Sequence, residues 1–376
     1  MSKVLILAND FSTLFNFRRE LIIRLQHENY EVVLALPPSD KNTYFEEQGI
    51  RVLETPLERR GTNPSKDLVL FFKYKNIIKE EKPDVCLTYT AKPNVYGSMA
   101  CSRYNIPYIN NVTGLGSCFY KEDIIKKILI LLQRIAFKKS RCVFFQNNAN
   151  LNFLIDKGIV SEEVAALLPG SGVNLNIHKF EEYPKEGPVK FITVARIRND
   201  KGYKELFEAA IEIKKLYPEV QFNIVGGIED RELEENLKTL SEKNVIIYHG
   251  EKTQEEVHEL ICESHCLIHP SYHEGMANVI LEAEATGRPC LVSDISGCRE
   301  AIDDSVTGYL FAPQNADSLK ESIIKFISQD YEIQKKMGIA AREKVSGEFD
   351  RELVVDAYIE KIDMLLNKEA YIGEFI

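Results

Sequence analysis

The sequence predicts an α/β protein of two doubly wound parallel-sheet domains, and three observations carry that reading. Short apolar runs alternate with helical patterns through the first half of the chain, and the same alternation restarts in the second half. A polar segment punctuated by Gly170, Gly172, Pro184, Gly187 and Pro188 separates the two series. The chain has 376 residues, enough for two domains that each bury a full core. Strands that are apolar along their whole length, rather than at every second residue, belong to parallel sheets covered by helices on both faces.

In chain order, Val4–Ala8 reads as the first strand and Phe17–Gln26 as a helix. Glu31–Ala35 is a second strand, closed by Pro37-Pro38, and Val52–Glu54 a third. Leu68–Lys79 is helical, and Val85–Thr88 and Tyr108–Asn111 are strands that follow Pro83 and Pro107. Val143–Gln146 and the helix Ala149–Lys157 complete the first series. The second series places strands at Val189–Val194, Gln221–Val225, Val245–Tyr248, Cys266–His269 and Cys290–Ser293. Its helices are Lys204–Leu216, Glu229–Glu242, Gln254–Glu263 and Asn278–Thr286. The expected domains are 1–183, joined by a C-terminal helix over 360–376, and 184–359. In such sheets ligands bind outside the carboxyl ends of the strands.

Composition narrows the classes of function. Hydrophobic residues make up 44% and charged residues 28%, as in an ordinary globular protein. A net charge of −10 argues against nucleic acid as a partner. Eight cysteines without a secretory leader read as reduced thiols in a cytoplasmic setting, and no stretch is apolar over the ~20 residues that span a bilayer. One segment runs against the overall charge. Ile124–Cys142 carries Lys126, Lys127, Arg134, Lys138, Lys139 and Arg141 among Ile128, Leu129, Leu131, Leu132 and Ile135. It reads either as a core helix with a solvated basic face or as a peripheral contact with the inner face of the cell membrane.

The chemistry concentrates in His269–Arg288, HPSYHEGMANVILEAEATGR. A strand that passes through a glycine-bearing turn (Gly275, Met276, Ala277) into a helix start at Asn278 and Val279 makes an anion cradle. The first amide N–H groups of a helix are unpaired, and its dipole favours negative charge there. Two carboxylates, Glu274 and Glu282, bracket the cradle. Beside a phosphate site their economical partners are sugar hydroxyls. Arg196 and Lys201 follow another strand end, and a guanidinium and an ammonium suit a diphosphate that gains charge as it leaves. The bland alternatives are a solvated basic loop and an exposed helical Glu pair. Gly226-Gly227 after the strand at Phe222–Val225 either admits a ligand close to the backbone or makes a tight turn.

The stretch Glu274-Gly-Met-Ala-Asn-Val-Ile-Leu-Glu282 resembles the E-x7-E signature of retaining glycosyltransferases of family 4, and Arg196 with Lys201 resembles their R-x4-K pattern. The resemblance implies the GT-B fold: two Rossmann-like domains facing a central cleft, with a C-terminal helix that crosses back to the first. By this resemblance Glu274 contacts the donor sugar, Glu282 the ribose, and the backbone of Ala277, Asn278 and Val279 the diphosphate, while Arg196 and Lys201 neutralise the leaving group. Gly250–Thr253 matches the loop near the nucleobase. Phe15-Asn16-Phe17-Arg18 and Thr88–Gly97 resemble the enzymes of capsule, O-antigen and protein-glycan assembly. Ala91 stands where relatives often carry a histidine, which removes that partner for the donor sugar and leaves Lys92 as the acceptor or phosphate contact. Asn16 contacts donor or acceptor, or caps a helix. The loop Asn110–Ser117 offers Asn111, Thr113 and Gly114 to the acceptor, or is a plain turn.

The expected activity is retaining transfer of a hexose or N-acetylhexosamine from a UDP-sugar to a glycan acceptor on polyprenyl diphosphate, with no cofactor and no metal. His258, Cys262, His265 and Cys266 lack the paired hooks of a zinc site, and His269 and His273 are placed along the nucleotide cleft. The rival readings are a UDP-sugar epimerase or phosphorylase, and a non-catalytic sugar-nucleotide-binding subunit.

Overall fold

The computed structural model describes residues 1–56, 63–115 and 124–373. The chain forms two compact units, Met1–Ser171 with Glu352–Ile376, and Gly172–Arg351. Each is a parallel sheet sandwiched between helices.

The first unit holds seven strands: β1 (Lys3–Leu7), β2 (Glu31–Leu36), β3 (Arg51–Glu54), β4 (Val85–Tyr89), β5 (Tyr108–Val112), β6 (Cys142–Phe145) and β7 (Ala165–Leu167). Their order is β3-β2-β1-β4-β5-β6-β7, so the winding reverses between β1 and β4. Its helices are α1 (Phe11–Phe17), α2 (Arg19–His27), α3 (Thr43–Glu47), α4 (Pro64–Glu81), α5 (Ser98–Tyr104), α6 (Ile124–Phe137) and α7 (Asn148–Asp156). Alternate residues of each strand feed opposite cores. Val4 and Ile6 meet Leu14, Leu21 and Ile22 on one face, whereas Leu5 and Leu7 meet Leu70, Tyr74 and Ile78 on the other. The single helix expected over Phe17–Gln26 is broken at Arg18, which ends α1 and precedes α2. Its guanidinium is drawn into the interior, 5.0 Å from the Tyr89 ring and 5.7 Å from that of Tyr358.

The second unit holds β8 (Lys190–Val194), β9 (Gln221–Val225), β10 (Ile247–Tyr248), β11 (Cys266–His269), β12 (Cys290–Ser293) and β13 (Gly308–Phe311), in the order β10-β9-β8-β11-β12-β13. The helices are α8 (Tyr203–Leu216), α9 (Arg231–Glu242), α10 (Gln254–Cys262), α11 (Asn278–Ala285), α12 (Ala316–Ile327) and α13 (Tyr331–Glu348), and α14 (Arg351–Gly373) ends the chain. The winding reverses between β8 and β11, and this is where a doubly wound sheet offers its ligand crevice.

The units divide at 171/172 and 351/352, earlier than the 183/184 and 359/360 boundaries read from sequence. Arg288 explains the first difference. It is fully buried, and its guanidinium donates to the carbonyls of Glu181, Glu182, Thr286, Ile261 and Cys262, which straps the glycine-punctuated segment onto the second unit. Tyr183 adds a hydrogen bond of 2.9 Å to the His265 carbonyl. The second difference follows from α14. Val354, Val355, Tyr358, Ile359 and Ile362 are buried in the core of the first sheet, so the helix returns to that unit from its first turn.

Tyr358 is the anchor of that return. Its ring lies 4.6 Å from Phe144, and its hydroxyl accepts a 2.7 Å hydrogen bond from the Asn111 amide. Replacing Tyr358 with Ala removes a fully buried aromatic, a change that costs about 3–5 kcal/mol in a packed core. The expected result is a large fall in the urea midpoint for the first unit, with Tyr358→Phe losing much less.

Candidate functional site

The site of the second unit is built at the carboxyl edge of β8 and β11. Glycine decides how closely its loops approach. Gly202 has φ +72°, and a Cβ there would lie 1.9 Å from the Pro270 carbonyl oxygen. The turn Asn199–Lys201 can therefore press directly on the segment leaving β11. The Tyr272 amide donates to the Asp200 carbonyl at 2.9 Å, and the Tyr272 hydroxyl donates to the Glu205 carboxylate, which ties the same two loops together. Gly297 backs the turn from behind, since a Cβ there would meet the carbonyl oxygens of Glu274 and Gly275 at 2.8 and 2.7 Å.

This packing brings Lys201 to Glu274. The ammonium and carboxylate are 2.5 Å apart, and His269 Nε2 lies 2.9 Å from the same oxygen, Oε1. Burial alone would raise the Glu274 carboxyl. The His269 hydrogen bond and the Lys201 charge outweigh it and hold the group well below the usual carboxylate range. His269 is buried under Glu274 rather than lining the crevice, and it positions the carboxylate. His273 is exposed.

Arg196, 45% exposed at its side chain, pairs with Glu229 at 3.2 Å, and Arg198 forms a forked pair with Asp200 at 2.8 Å. Arg196 thus reaches solvent from β8 and is held by an acid on the loop after β9. Gly226 has φ +147°, and a Cβ there would lie 1.9 Å from the Ala195 carbonyl oxygen. Its amide already donates to the Gly250 carbonyl at 2.9 Å. The glycine therefore serves the crossing of two strand ends, the tight-turn role that the sequence also offered. A Cβ at Gly227 meets only the Glu251 carboxylate, at 3.3 Å, so this position faces more open space. Thr253 is occupied as the cap of α10, in a capping box with Glu256.

The helix start is divided in the same way. The Ala277 amide donates to the Gly297 carbonyl at 2.9 Å and is not available to an anion, a correction to its expected contact with the diphosphate. The amides of Asn278 and Val279 meet no acceptor among the described residues. Helix α11 has no side-chain cap, and Asn278 Oδ1 is buried without a partner. Met276 is buried, and Gly275 leads into the turn. Glu282, half-buried one turn into α11, makes no side-chain hydrogen bond among the described residues. Burial pushes its carboxyl up to about 6 against the opposing pull of Arg351. Glu284, two residues on, is fully buried, and burial holds it well above the usual range despite Lys344.

In the first unit, Lys92 pairs with Asp67 at 2.7 Å, and the Tyr96 hydroxyl donates to the same carboxylate at 3.0 Å. Lys92 follows Thr90, whose φ is +72°, and precedes a π-helical turn over Pro93–Gly97. Asn16 lies inside α1, whose cap is Asp10, so it caps neither neighbouring helix. Asn111 corrects the expected acceptor set: it is 1% exposed, and its amide is spent on Tyr358. Thr113 is half-buried and Gly114 exposed at the end of β5, while Gly116 and Ser117 of that loop lie outside the described residues. Behind the loop is a buried network that the sequence reading missed. Thr88 donates to Asn94 at 2.6 Å, and Asn110 donates to Thr88 and Ser98 at 2.7 and 2.6 Å. His258 and Cys262 do share a helical face, 3.5 Å apart, but among the described residues no three His, Cys, Asp or Glu side chains are placed to hold a metal ion.

The sequence matches the family described as glycosyl transferases group 1 over residues 176–344, and that described as glycosyl transferase 4-like over residues 3–147. It is 24% identical to the N,N'-diacetylbacillosaminyl-diphospho-undecaprenol alpha-1,3-N-acetylgalactosaminyltransferase of Campylobacter jejuni, over 96% of this chain and 98% of that one. It is 25% identical to the UDP-Gal:alpha-D-GlcNAc-diphosphoundecaprenol alpha-1,3-galactosyltransferase of Escherichia coli, over 92% of each chain. Its fold is similar to that of Anabaena HepE in complex with UDP and glucose, with a TM-score of 0.78 and 18% identity over 97% of this chain and 100% of that one.

The two carboxyls of the pair respond to pH in opposite senses. Glu274, lower when folded, stabilises the second unit above pH 4.5, and this is lost as the pH falls through its folded value. Glu282, higher when folded, binds its proton more tightly in the native state, so stability declines as pH rises from 4.5 to about 6. Glu282→Gln is expected to raise the melting temperature at neutral pH and leave it unchanged at pH 4.5, measured by scanning calorimetry.

Proposed function

The chain belongs to the group 1, family 4-like glycosyl transferases, and we propose that it moves a hexose or N-acetylhexosamine from a UDP-sugar, with retention, to a glycan hydroxyl on polyprenyl diphosphate. The pathway would be assembly of a bacterial surface or protein-linked glycan. The observation that carries this reading is the Lys201–Glu274–His269 cluster beside a helix start with two unpaired amides. A cationic and amide surface next to a carboxylate fixed in its ionised form suits a ligand that is anionic at one end and rich in hydroxyls at the other. The relatives support the donor and acceptor classes, since both act on diphospho-undecaprenol-linked sugars and one is named for UDP-galactose.

In the proposed reaction the bond between the anomeric carbon and the diphosphate oxygen breaks. The acceptor oxygen bonds to that carbon on the same face, and the acceptor proton passes to the departing phosphate oxygen. Arg196, Lys201 and the amides of Asn278 and Val279 stabilise the charge that builds on the diphosphate, and no metal is assigned a part. Glu274 accepts hydrogen bonds from sugar hydroxyls, and Glu282 from the ribose. Gly227 allows close approach of the nucleotide and Asn16 contacts the donor, while Lys92, Thr113 and Gly114 contribute on the acceptor side.

Thermal shifts with UDP-, GDP-, ADP- and dTDP-sugars test the donor class. A ligand at about a hundred times its Kd adds about 2.7 kcal/mol of stability, so a selective response to UDP and one UDP-sugar is expected. With that sugar and a polyprenyl-diphosphate-linked acceptor, NMR of the product should give the donor's anomeric configuration. Lys201→Ala should lower kcat by about a hundred-fold to a thousand-fold. UDP binding without transfer to any such acceptor would favour a non-catalytic subunit, and release of an epimerised sugar would favour an epimerase.

A further inference from the structure

Helix α6 carries apolar side chains on both of its sides: Ile130, Leu132, Ala136 and Phe137 pack against the core, and a second set faces out. Gln133 is 7% exposed and faces the core with Ala136 and Phe137, while Ile128, Leu131 and Ile135 stand 51%, 57% and 49% exposed. Those three positions fall on one stripe of the helix, and the exposed Lys127, Arg134 and Lys138 lie along it. From Ile124 to Ile155 the chain contains no Asp or Glu, although the whole protein is acidic.

Helix α4 repeats the arrangement. Leu68, Val69 and Phe72 are exposed in its first turns, beside the exposed Lys66 and Lys73. Both helices pack against Pro93–Gly97, the turn that follows β4, so the two apolar stripes flank one segment on one face of the first sheet.

Aliphatic and aromatic side chains of this size, grouped on neighbouring helices, mark a contact with an apolar phase. The basic side chains select an anionic one, because their stems lie along apolar surface while their charges reach phosphate. Among the described residues no helix is long and apolar enough to cross a membrane, so the contact is with a surface.

We propose that the α4–α6 face of the first unit docks on an anionic lipid bilayer, with Phe72, Ile128, Leu131 and Ile135 entering the interface and Lys127 and Lys138 pairing with lipid phosphates. The inference deepens the proposed function, since a polyprenyl-anchored acceptor lies in such a surface. Its test does not pass through transfer.

The experiment is co-sedimentation of the full chain with vesicles of phosphatidylcholine alone and of phosphatidylcholine mixed with phosphatidylglycerol. Binding is expected to the mixed vesicles only, and to weaken as salt is raised. Leu131→Glu with Ile135→Glu should abolish it at an unchanged melting temperature, because both side chains are exposed. Lys127→Ala and Lys138→Ala should each lower the affinity about fivefold and flatten the salt dependence. Absence of binding by the folded protein, or equal binding by the Glu variant, overturns the proposal. So does a dimer in sedimentation velocity that the same variant converts to monomer, which would identify the face as a contact between two copies.

Discussion

A carboxylate removed from water needs a cation or hydrogen-bond donors, and meeting that requirement at Glu274 shapes the second unit's edge. One donor, His269, comes from the last residue of β11, and the cation, Lys201, from the turn after β8. These groups meet only because Gly202 lets one backbone rest on another where any Cβ would collide with Pro270. Gly297 serves the opposite side of the same loop. The glycines therefore mark the places where loops are pressed together to hold one charge, and the chemistry follows from how they are pressed.

The loop after β11 and the helix α11 that follows it show how environment assigns different work to identical side chains. Glu274, supplied with donors, is fixed in its charged form, whereas Glu282, with only the distant pull of Arg351, is pushed up to about 6. Glu284 has turned into the core and favours its neutral form. An ionised acceptor suits sugar hydroxyls throughout the physiological range. A carboxyl that titrates near 6 gives its full accepting strength only above that pH, so the two ends of the proposed donor are gripped with different sensitivities.

Much of the fold was legible because strands buried on both faces must be apolar along their length. Cys266–His269 and Cys290–Ser293 have the bounds read from the sequence. Of the four edge strands, β7 and β13 escaped, whereas β3 and β10 were read. Ala165–Leu167 is three residues long and only partly buried, and Gly308–Phe311 opens on a glycine that reads as a turn. The site was legible as charges and glycines near strand ends, but their partners were not. Periodicity cannot tell that the Asn111 side chain points inward to Tyr358, or that a Cβ at Gly226 would collide with the Ala195 carbonyl. Such facts depend on which distant backbone arrives alongside. The position of His269 beneath Glu274 is of the same kind, although its place at a strand end five residues before the acid was a usable signal.

The first unit poses the opposite problem, since its most informative helix breaks the rule by which helices are read. An amphipathic helix on a sheet turns its apolar side inward. Counting apolar residues along Ile124–Phe137 finds enough for a buried stripe and leaves the choice between core and surface open. In the structure Gln133 occupies an inward position beside Ala136 and Phe137, with Ile130 and Leu132 against the same core, while Leu131 and Ile135 face out. An outward Leu–Ile stripe flanked by lysines would be a solubility liability with nothing to cover it. That α4 bears a matching stripe, packed against the same turn, makes a chance exposure of single residues a poor account. The proposed docking on an anionic bilayer would cover both stripes at once, and the lysines beside them suit such a surface.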